Sequence, residues 1–423
     1  MKVEFPCDND QIALELPETV EIIQTSEFLT ENYPEHAVAS ALESPIGTPA
    51  LSELARTRSS ACIVISDITR PVPNKIILPP ILKTLEESGI ERQNTTILIA
   101  TGMHRPNLGD ELESMIGADI MNSYHVVNHY CQKQDELKEI TRIDDAPIEI
   151  NTHYLDADLK ILTGLIEPHF YAGFSGSRKS ILPGIASFDT MKFMHSYKVI
   201  SQLEGANCRL DNNLFHQYAM EVTQKAGVDF IVNVVINKMR ELCGVFAGHF
   251  EQAHLAGCEM VKDHAVVELD QKVDLVITSA GGYPLDSTYY QVSKCLISAM
   301  DILNKGGTIV VFCGCREGLG SEEFCTIMRS NPTPEDFRKH HSQPDNFVID
   351  QWCAQNIYQA LDHAGQVYIY SPGLSDEDVA RFSGKKLADA AECQAVVKEL
   401  LTTHKRVVAI PEGPYVVGKV VGS

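Results

Sequence analysis

The sequence predicts an α/β protein of two domains built from alternating strands and helices, with its active site in the cleft between the domains. Three observations lead there. The chain has 423 residues, more than one hydrophobic core accommodates, so two domains and an intervening cleft are expected. Short apolar runs rich in β-branched residues recur along it, separated mostly by helix-length stretches with apolar residues three and four apart. Such alternation builds parallel sheets covered by helices on both faces, in which ligands sit beyond the carboxyl ends of strands.

In chain order the strand-like runs are 61–66, 95–100, 159–164, 229–236, 273–279, 307–313, 366–371 and 406–410. Helical periodicity occupies 74–88, 212–226, 251–265, 291–304, 352–364 and 390–404. A charged linker at 268–272 precedes the point where the alternation restarts. The first α/β domain is therefore placed at 1–268 and the second at 269–404, with 405–423 returning to the first, as chain termini often do.

Charge and cysteine usage narrow the classes of partner. A formal net charge of −22 argues against nucleic acid and anionic membranes, since neither polyanion is drawn to such a surface. An anionic ligand must then be met by a local basic cluster. Twelve cysteines are scattered without regular spacing, and the N-terminus has neither a signal-peptide core nor a membrane span. The expectation is a reduced, cytoplasmic protein. Cys313 and Cys315, the close pair, read as small residues ending a strand.

The segment from Gly164 to Gly184 holds four glycines, His169, Arg178 and Lys179 directly after a strand-like run. Glycines permit close backbone approach, while lysine and histidine supply a nucleophilic or electrostatic group and a proton carrier. The stretch Gly173-Phe-Ser-Gly-Ser-Arg-Lys-Ser resembles a phosphate loop but has Arg178 where that loop needs its second glycine. A bulky side chain there obstructs the anion nest.

Three strand ends in the first half deliver polar groups immediately after apolar runs: Asp67, Ile68, Thr69 and Arg70 after 61–66; His104 and Arg105 after 95–100; Glu167, His169 and Lys179 after 159–164. In a parallel sheet neighbouring strand ends lie about 5 Å apart, so these groups are expected to converge. Arg70 offers a planar fork for a carboxylate or phosphate, and Asp67 could orient it or bind a sugar hydroxyl. His104 and His169, on ends read as adjacent, could stand on opposite sides of one substrate as proton carriers, or bind a metal. His195 follows on a helix beside Met191 and Met194, a soft setting that suits a metal-bearing ligand. His125, His129, His340 and His341 sit in polar or charged surroundings and read as solvated. In the second half Gln291 and Lys294 lie three apart on one helix face after a Gly-Gly turn.

Taken together, Ser66-Asp67-Ile-Thr-Arg70-Pro71, Thr101-Gly-Met-His104-Arg105-Pro106, Glu167-Pro168-His169, Gly176-Ser-Arg178-Lys179-Ser-Ile-Leu-Pro183-Gly184, His195 and Gln291-Val-Ser-Lys294 resemble the lactate racemase family. The spacing, ten residues from His169 to Lys179 and sixteen more to His195, carries the match. The resemblance implies a racemase or epimerase of a 2-hydroxy carboxylic acid. It implies a nickel pincer nucleotide (nickel-pyridinium-3,5-bisthiocarboxylate mononucleotide) attached covalently to Lys179, with His195 as the nickel ligand. Asp67, Ile68, Thr69 and Arg70 would touch this cofactor, His104 and His169 would be the acid/base pair, and Arg70, Gln291 and Lys294 would hold the substrate carboxylate. The enzymes that build and deliver the cofactor are implied partners. Tyr289, Tyr290, Arg316 and Trp352 are candidates for the wall facing the substrate tail. A nucleotide-dependent transferase, a zinc hydrolase and a non-catalytic ligand-binding homologue are the competing readings.

Overall fold

A computed structural model describes every residue except Glu204, Ser383, Gly422 and Ser423. The chain divides into two compact units. The first comprises Glu27–Met194 and Cys208–His264; the second comprises Met1–Ser26, His195–Asn207 and Ala265–Ser423.

The first unit is built on a six-stranded sheet in the order Leu242–Gly248, Phe230–Ile236, Leu159–Leu165, Ala61–Ser66, Thr95–Ala100, His125–Asn128. All neighbours are parallel except the antiparallel pair at the Leu242–Gly248 edge. The central strands are continuous apolar runs because both faces are covered: residues 61–65 of Ala61–Ser66 are all buried. Helix Asn74–Glu87 supplies part of that cover, burying Ile77, Leu78, Ile81, Leu82 and Leu85 at helical spacing. These side chains share one core with Ile63, Ile65, Ile97, Ile99, Ile161 and Val232.

The second unit repeats the plan with a six-stranded parallel sheet: Gly384–Leu387, Gln366–Tyr370, Leu303–Phe312, Val273–Ser279, Val407–Ile410, Glu21–Ile22. Helix Tyr289–Ile302 packs with ten of its fourteen residues buried.

Two expectations about domain limits are corrected. Residues 405–423 do not return to the first domain, because Val407–Ile410 pairs in parallel with Leu275–Thr278 and Val417–Val420 pairs with Val266–Leu269. The N-terminal 26 residues also belong to the second unit, where Glu21 and Ile22 extend the same sheet beside Val408 and Ala409. Long-range strand pairing of this kind leaves no mark in local periodicity. The hairpin Lys2–Cys7/Asp10–Glu15 buries Val3, Phe5, Ile12 and Leu14 in the second unit's core.

Candidate active site

The three polar strand ends of the first unit are neighbours, as expected: Ala61–Ser66 lies between Thr95–Ala100 and Leu159–Leu165, parallel to both. One detail is corrected. His104 and His169 follow strands that are not adjacent, since the Ala61–Ser66 strand separates them and inserts Asp67 between the two ends.

Asp67 is 4% exposed, and both of its oxygens are engaged. Thr69 Oγ1 donates to Oδ1 at 2.7 Å, and Oδ2 lies 2.7 Å from His104 Nδ1. Arg70 N donates to Asp67 O at 3.1 Å, closing a turn that leaves Ile68, Thr69 and Arg70 exposed at the strand end. Asn107 Oδ1 accepts from Ile68 N at 3.3 Å, and Asn107 N is held by Asn128 Oδ1 at 2.8 Å. From sequence Asp67 is expected to orient Arg70 or to bind a ligand; in the structure its carboxylate is paired with His104, a partner 37 positions away that the sequence does not announce.

The third strand end folds back on itself. Pro168–His169 pairs antiparallel with Gly173–Phe174, and His169 Nδ1 accepts from Tyr171 N at 3.1 Å and Ala172 N at 3.2 Å. Beyond it, Ser177 N donates to Asn233 Oδ1 at 3.0 Å, and Ser180 Oγ donates to Thr163 O at 2.9 Å. Gly184 O accepts from Gly102 N at 2.9 Å, tying the Lys179 segment to the His104 turn. Gly164 is required here, because a Cβ would meet Ser177 N at 2.9 Å and Asn233 Oδ1 at 3.0 Å.

Arg178 explains why the phosphate-loop comparison fails. Its side chain is 2% exposed and turns inward, donating from Nη2 to Ala172 O at 2.7 Å and Phe174 O at 2.9 Å, and from Nη1 to Ser175 O at 3.2 Å. Nε donates to His216 Nδ1 at 2.9 Å, and Nη1 also contacts His254 Nε2. Burial lowers the guanidinium to about 10, so it stays charged at neutral pH. Burial, with Arg178 beside it, pushes His216 down to about 4 and His254 well below the ordinary imidazole value. Two neutral rings therefore accept from one cation. Lys179, the next residue, is half-buried. Sequence reading missed Arg178 as a structural centre, and the departure from the glycine pattern was the available signal.

In the second unit, His195 is 9% exposed, its ring centroid 4.7 Å from that of Trp352. Trp352 Nε1 donates to the Tyr290 hydroxyl at 3.1 Å, and Tyr290 meets Phe324 edge-on at 5.4 Å. An aromatic brace thus holds the His195 imidazole. Gln291 and Lys294 are half-buried on helix Tyr289–Ile302, and Gln291 Oε1 is a buried acceptor with no hydrogen-bond partner among the described residues. Tyr289 is a core residue stacked on Phe382, centroids 5.1 Å apart, and Arg316 is paired with Asp8 and laid over Tyr283. His125 and His340 are exposed, but His129 and His341 are buried at 1% and 3%, which corrects their reading as solvated. Each has found partners: His129 Nε2 contacts Ala186 O at 2.9 Å and Nδ1 contacts Asn151 Nδ2 at 3.1 Å, while His341 Nδ1 contacts Asn346 O at 3.2 Å. Among the described residues no group of three or more His, Cys, Asp or Glu is gathered as metal ligands.

The α/β fold with these parallel strand ends is that of an isomerase, a racemase, as its similarity to known racemases shows. The chain belongs to the lactate racemase family: the lactate racemase N-terminal domain matches residues 7–206 and the C-terminal domain matches 269–418. It is 34% identical over 422 residues to the lactate racemase of Thermoanaerobacterium thermosaccharolyticum, covering 98% of both chains, and 35% identical over 392 residues to that of Lactiplantibacillus plantarum, covering 91% of both. The structure of the Thermoanaerobacterium lactate racemase apoprotein superposes with a TM-score of 0.90 at 34% identity, over 99% of this chain and 100% of that one. A Thermotoga maritima protein of 17% identity shares the fold, with a TM-score of 0.66 over 94% of this chain and 100% of that one.

Proposed function

We propose that this chain racemises or epimerises a 2-hydroxy carboxylic acid, lactate or a close relative, with a nickel pincer nucleotide attached at Lys179 and His195 as the nickel ligand. The pairing of His104 with the buried Asp67 carries the reading, because it supplies an oriented proton carrier on a turn tied to the Lys179 segment through Gly102 N and Gly184 O. The donor set suits the cofactor in kind: a primary amine for covalent attachment, and an imidazole braced by an aromatic ring for a nitrogen-loving metal such as nickel. When bound, the group supplies the electrophile that accepts and returns the hydride of the substrate's α-carbon, sparing a carbanion beside a carboxylate.

The chain's own residues do the rest. Asp67 holds His104 so that Nε2 faces outward to exchange the hydroxyl proton, and His169 meets the oxygen of the opposite hand. Arg70, Gln291 and Lys294 bind the substrate carboxylate, Gln291 through its Nε2 donor, while its buried, unpartnered Oε1 is an acceptor suited to a ligand hydroxyl. Ile68, Thr69 and Arg70, exposed at the strand end, contact the cofactor. In a chain of net charge −22, affinity for the anionic substrate comes from these short-range pairs. Twelve cysteines without regular spacing suit a reducing, cytoplasmic setting, and the enzymes that assemble the nickel cofactor are the partners.

Protein co-produced with those enzymes should carry stoichiometric nickel and a mass adduct on the peptide containing Lys179, and Lys179→Ala should abolish the adduct. A zinc-loaded protein with unmodified Lys179 that catalyses no racemisation would refute the reading.

A further inference from the structure

We propose that the two histidines are held in opposite tautomers: His104 is a ready base at Nε2, whereas His169 is latched as a neutral hydrogen-bond donor that the Phe170–Ala172 turn must release before it exchanges protons. The inference rests on the reading that both rings serve the substrate hydroxyl.

The partners decide the tautomers. An ionised carboxylate only accepts, so Asp67 Oδ2 at 2.7 Å places a proton on His104 Nδ1 and, in the neutral ring, a lone pair on Nε2. Thr69 pins the other carboxylate oxygen, which keeps that acceptor in place. At His169 the logic reverses. A backbone N–H only donates, and Nδ1 receives two, from Tyr171 and Ala172. Nδ1 must then carry the lone pair, and the neutral ring bears its proton on Nε2. Phe170 stacks on the same ring with centroids 5.0 Å apart and planes 14° from parallel, which opposes a ring flip.

The proton balance shows what this latch does. As hydride leaves the α-carbon, the hydroxyl proton passes to His104 Nε2, and the resulting imidazolium faces Asp67. When hydride returns to the same carbon from the other face, the 2-oxo oxygen must receive a proton; no external oxidant or reductant is consumed. A neutral His169 that gave up its Nε2 proton would become an imidazolate unless Nδ1 had first gained one. Two amide protons aimed at Nδ1 forbid that gain. Latched, His169 can only polarise the oxygen as a neutral donor, and proton exchange requires the Tyr171 and Ala172 amides to let go so that Nδ1 takes a proton from water, to which His104 later returns the one it gained. Both residues are buried, at 4% and 0% exposure, so their release is a measurable event.

The full chain labelled with ¹⁵N-histidine should be examined at neutral pH by long-range ¹H–¹⁵N spectroscopy, with His104→Gln and His169→Gln providing the assignments. His104 should show a protonated Nδ1 and bare Nε2, and His169 a bare Nδ1 and protonated Nε2. Asp67→Asn, which puts a donor opposite His104 Nδ1, should move His104 toward the Nε2–H form and leave His169 unchanged. In the cofactor-loaded enzyme during turnover, amide exchange across 170–172 should quicken at least tenfold. The same tautomer in both rings, or unchanged protection of 170–172 during turnover, overturns the proposal. The spectra need no activity, so a protein inert toward every 2-hydroxy acid counts against the racemase reading while the tautomers are judged separately.

Discussion

Arg178 Nε donates to His216 Nδ1 across 2.9 Å, so a buried guanidinium rests on a neutral imidazole rather than on a carboxylate. Together with His254 and three backbone carbonyls, it makes one polar knot beneath the segment that carries Lys179.

Replacing Arg178 with Met keeps much of the volume and removes every donor of that knot. The carbonyls of Ala172, Phe174 and Ser175 then lose these bonds inside a dry interior. Arg178→Met should destabilise the protein by roughly 2–5 kcal/mol, since several buried acceptors each lose a hydrogen bond at about 1–3 kcal/mol apiece. Urea unfolding should show a lower midpoint with an unchanged slope. A loss below about 1 kcal/mol would mean that the guanidinium contributes no more than a surface ion pair.

Acid should weaken the fold through its buried imidazoles. Burial lowers His129 to about 4, against an ordinary value of 6.5, and His216 is lowered to about 4 as well. Between those limits the unfolded chain binds more protons than the native one, so stability rises with pH across the window. It is fully present above about pH 6.5 and lost as pH falls toward 4. For His129 the shift is worth roughly 2–4 kcal/mol over the whole window. Urea midpoints from pH 7.5 to 4.5 should fall accordingly, and His129→Gln should flatten that dependence. An equally steep fall in the variant would show that other groups set the acid limb.

Asp67→Asn tests the orientation of His104. The amide is nearly isosteric but offers a donor where the imidazole needs an acceptor. Racemisation should fall about 10²-fold or more in both directions, the usual value of a positioned acid/base. The mass adduct at Lys179 should persist. If it is lost instead, Asp67 serves the cofactor rather than His104.

Much of this arrangement was legible in the chain because the sheet-forming runs are local signals. Ala61–Ser66 and Thr95–Ala100 occur at the expected positions, and the polar residues after them necessarily fall at one sheet edge. What escaped was set by tertiary partners. The return of Val407–Ile410 to the second sheet depends on pairing with Leu275–Thr278, 132 positions away. The burial of His129 depends on Ala186 and Asn151, and the inward turn of Arg178 depends on His216 and His254. A polar side chain reads the same in sequence whether water or a distant residue completes its bonds.

Gly176 sets the distance between this knot and the Lys179 segment. Its φ is +115°, and a Cβ there would meet His254 Cε1 and Nδ1 at 2.8 Å. The ring has little room to retreat, being held at Nε2 by Arg178 and lying 3.3 Å from Cys258 Sγ. Gly176→Ala therefore combines backbone strain with overpacking, each costing about 1–3 kcal/mol. The variant should unfold at lower urea by roughly 2–5 kcal/mol in total. Displacing His254 should also loosen the pocket of Cys258, whose thiol burial pushes up to about 12 and so keeps it unreactive. Alkylation of Cys258 at pH 8, located by peptide mass, should be at least tenfold faster in Gly176→Ala than in wild type. Because both changes act on one network, Gly176→Ala and Arg178→Met should be less than additive. Wild-type stability with unaltered alkylation would show that the ring yields freely, and that the glycine at 176 answers to some other constraint.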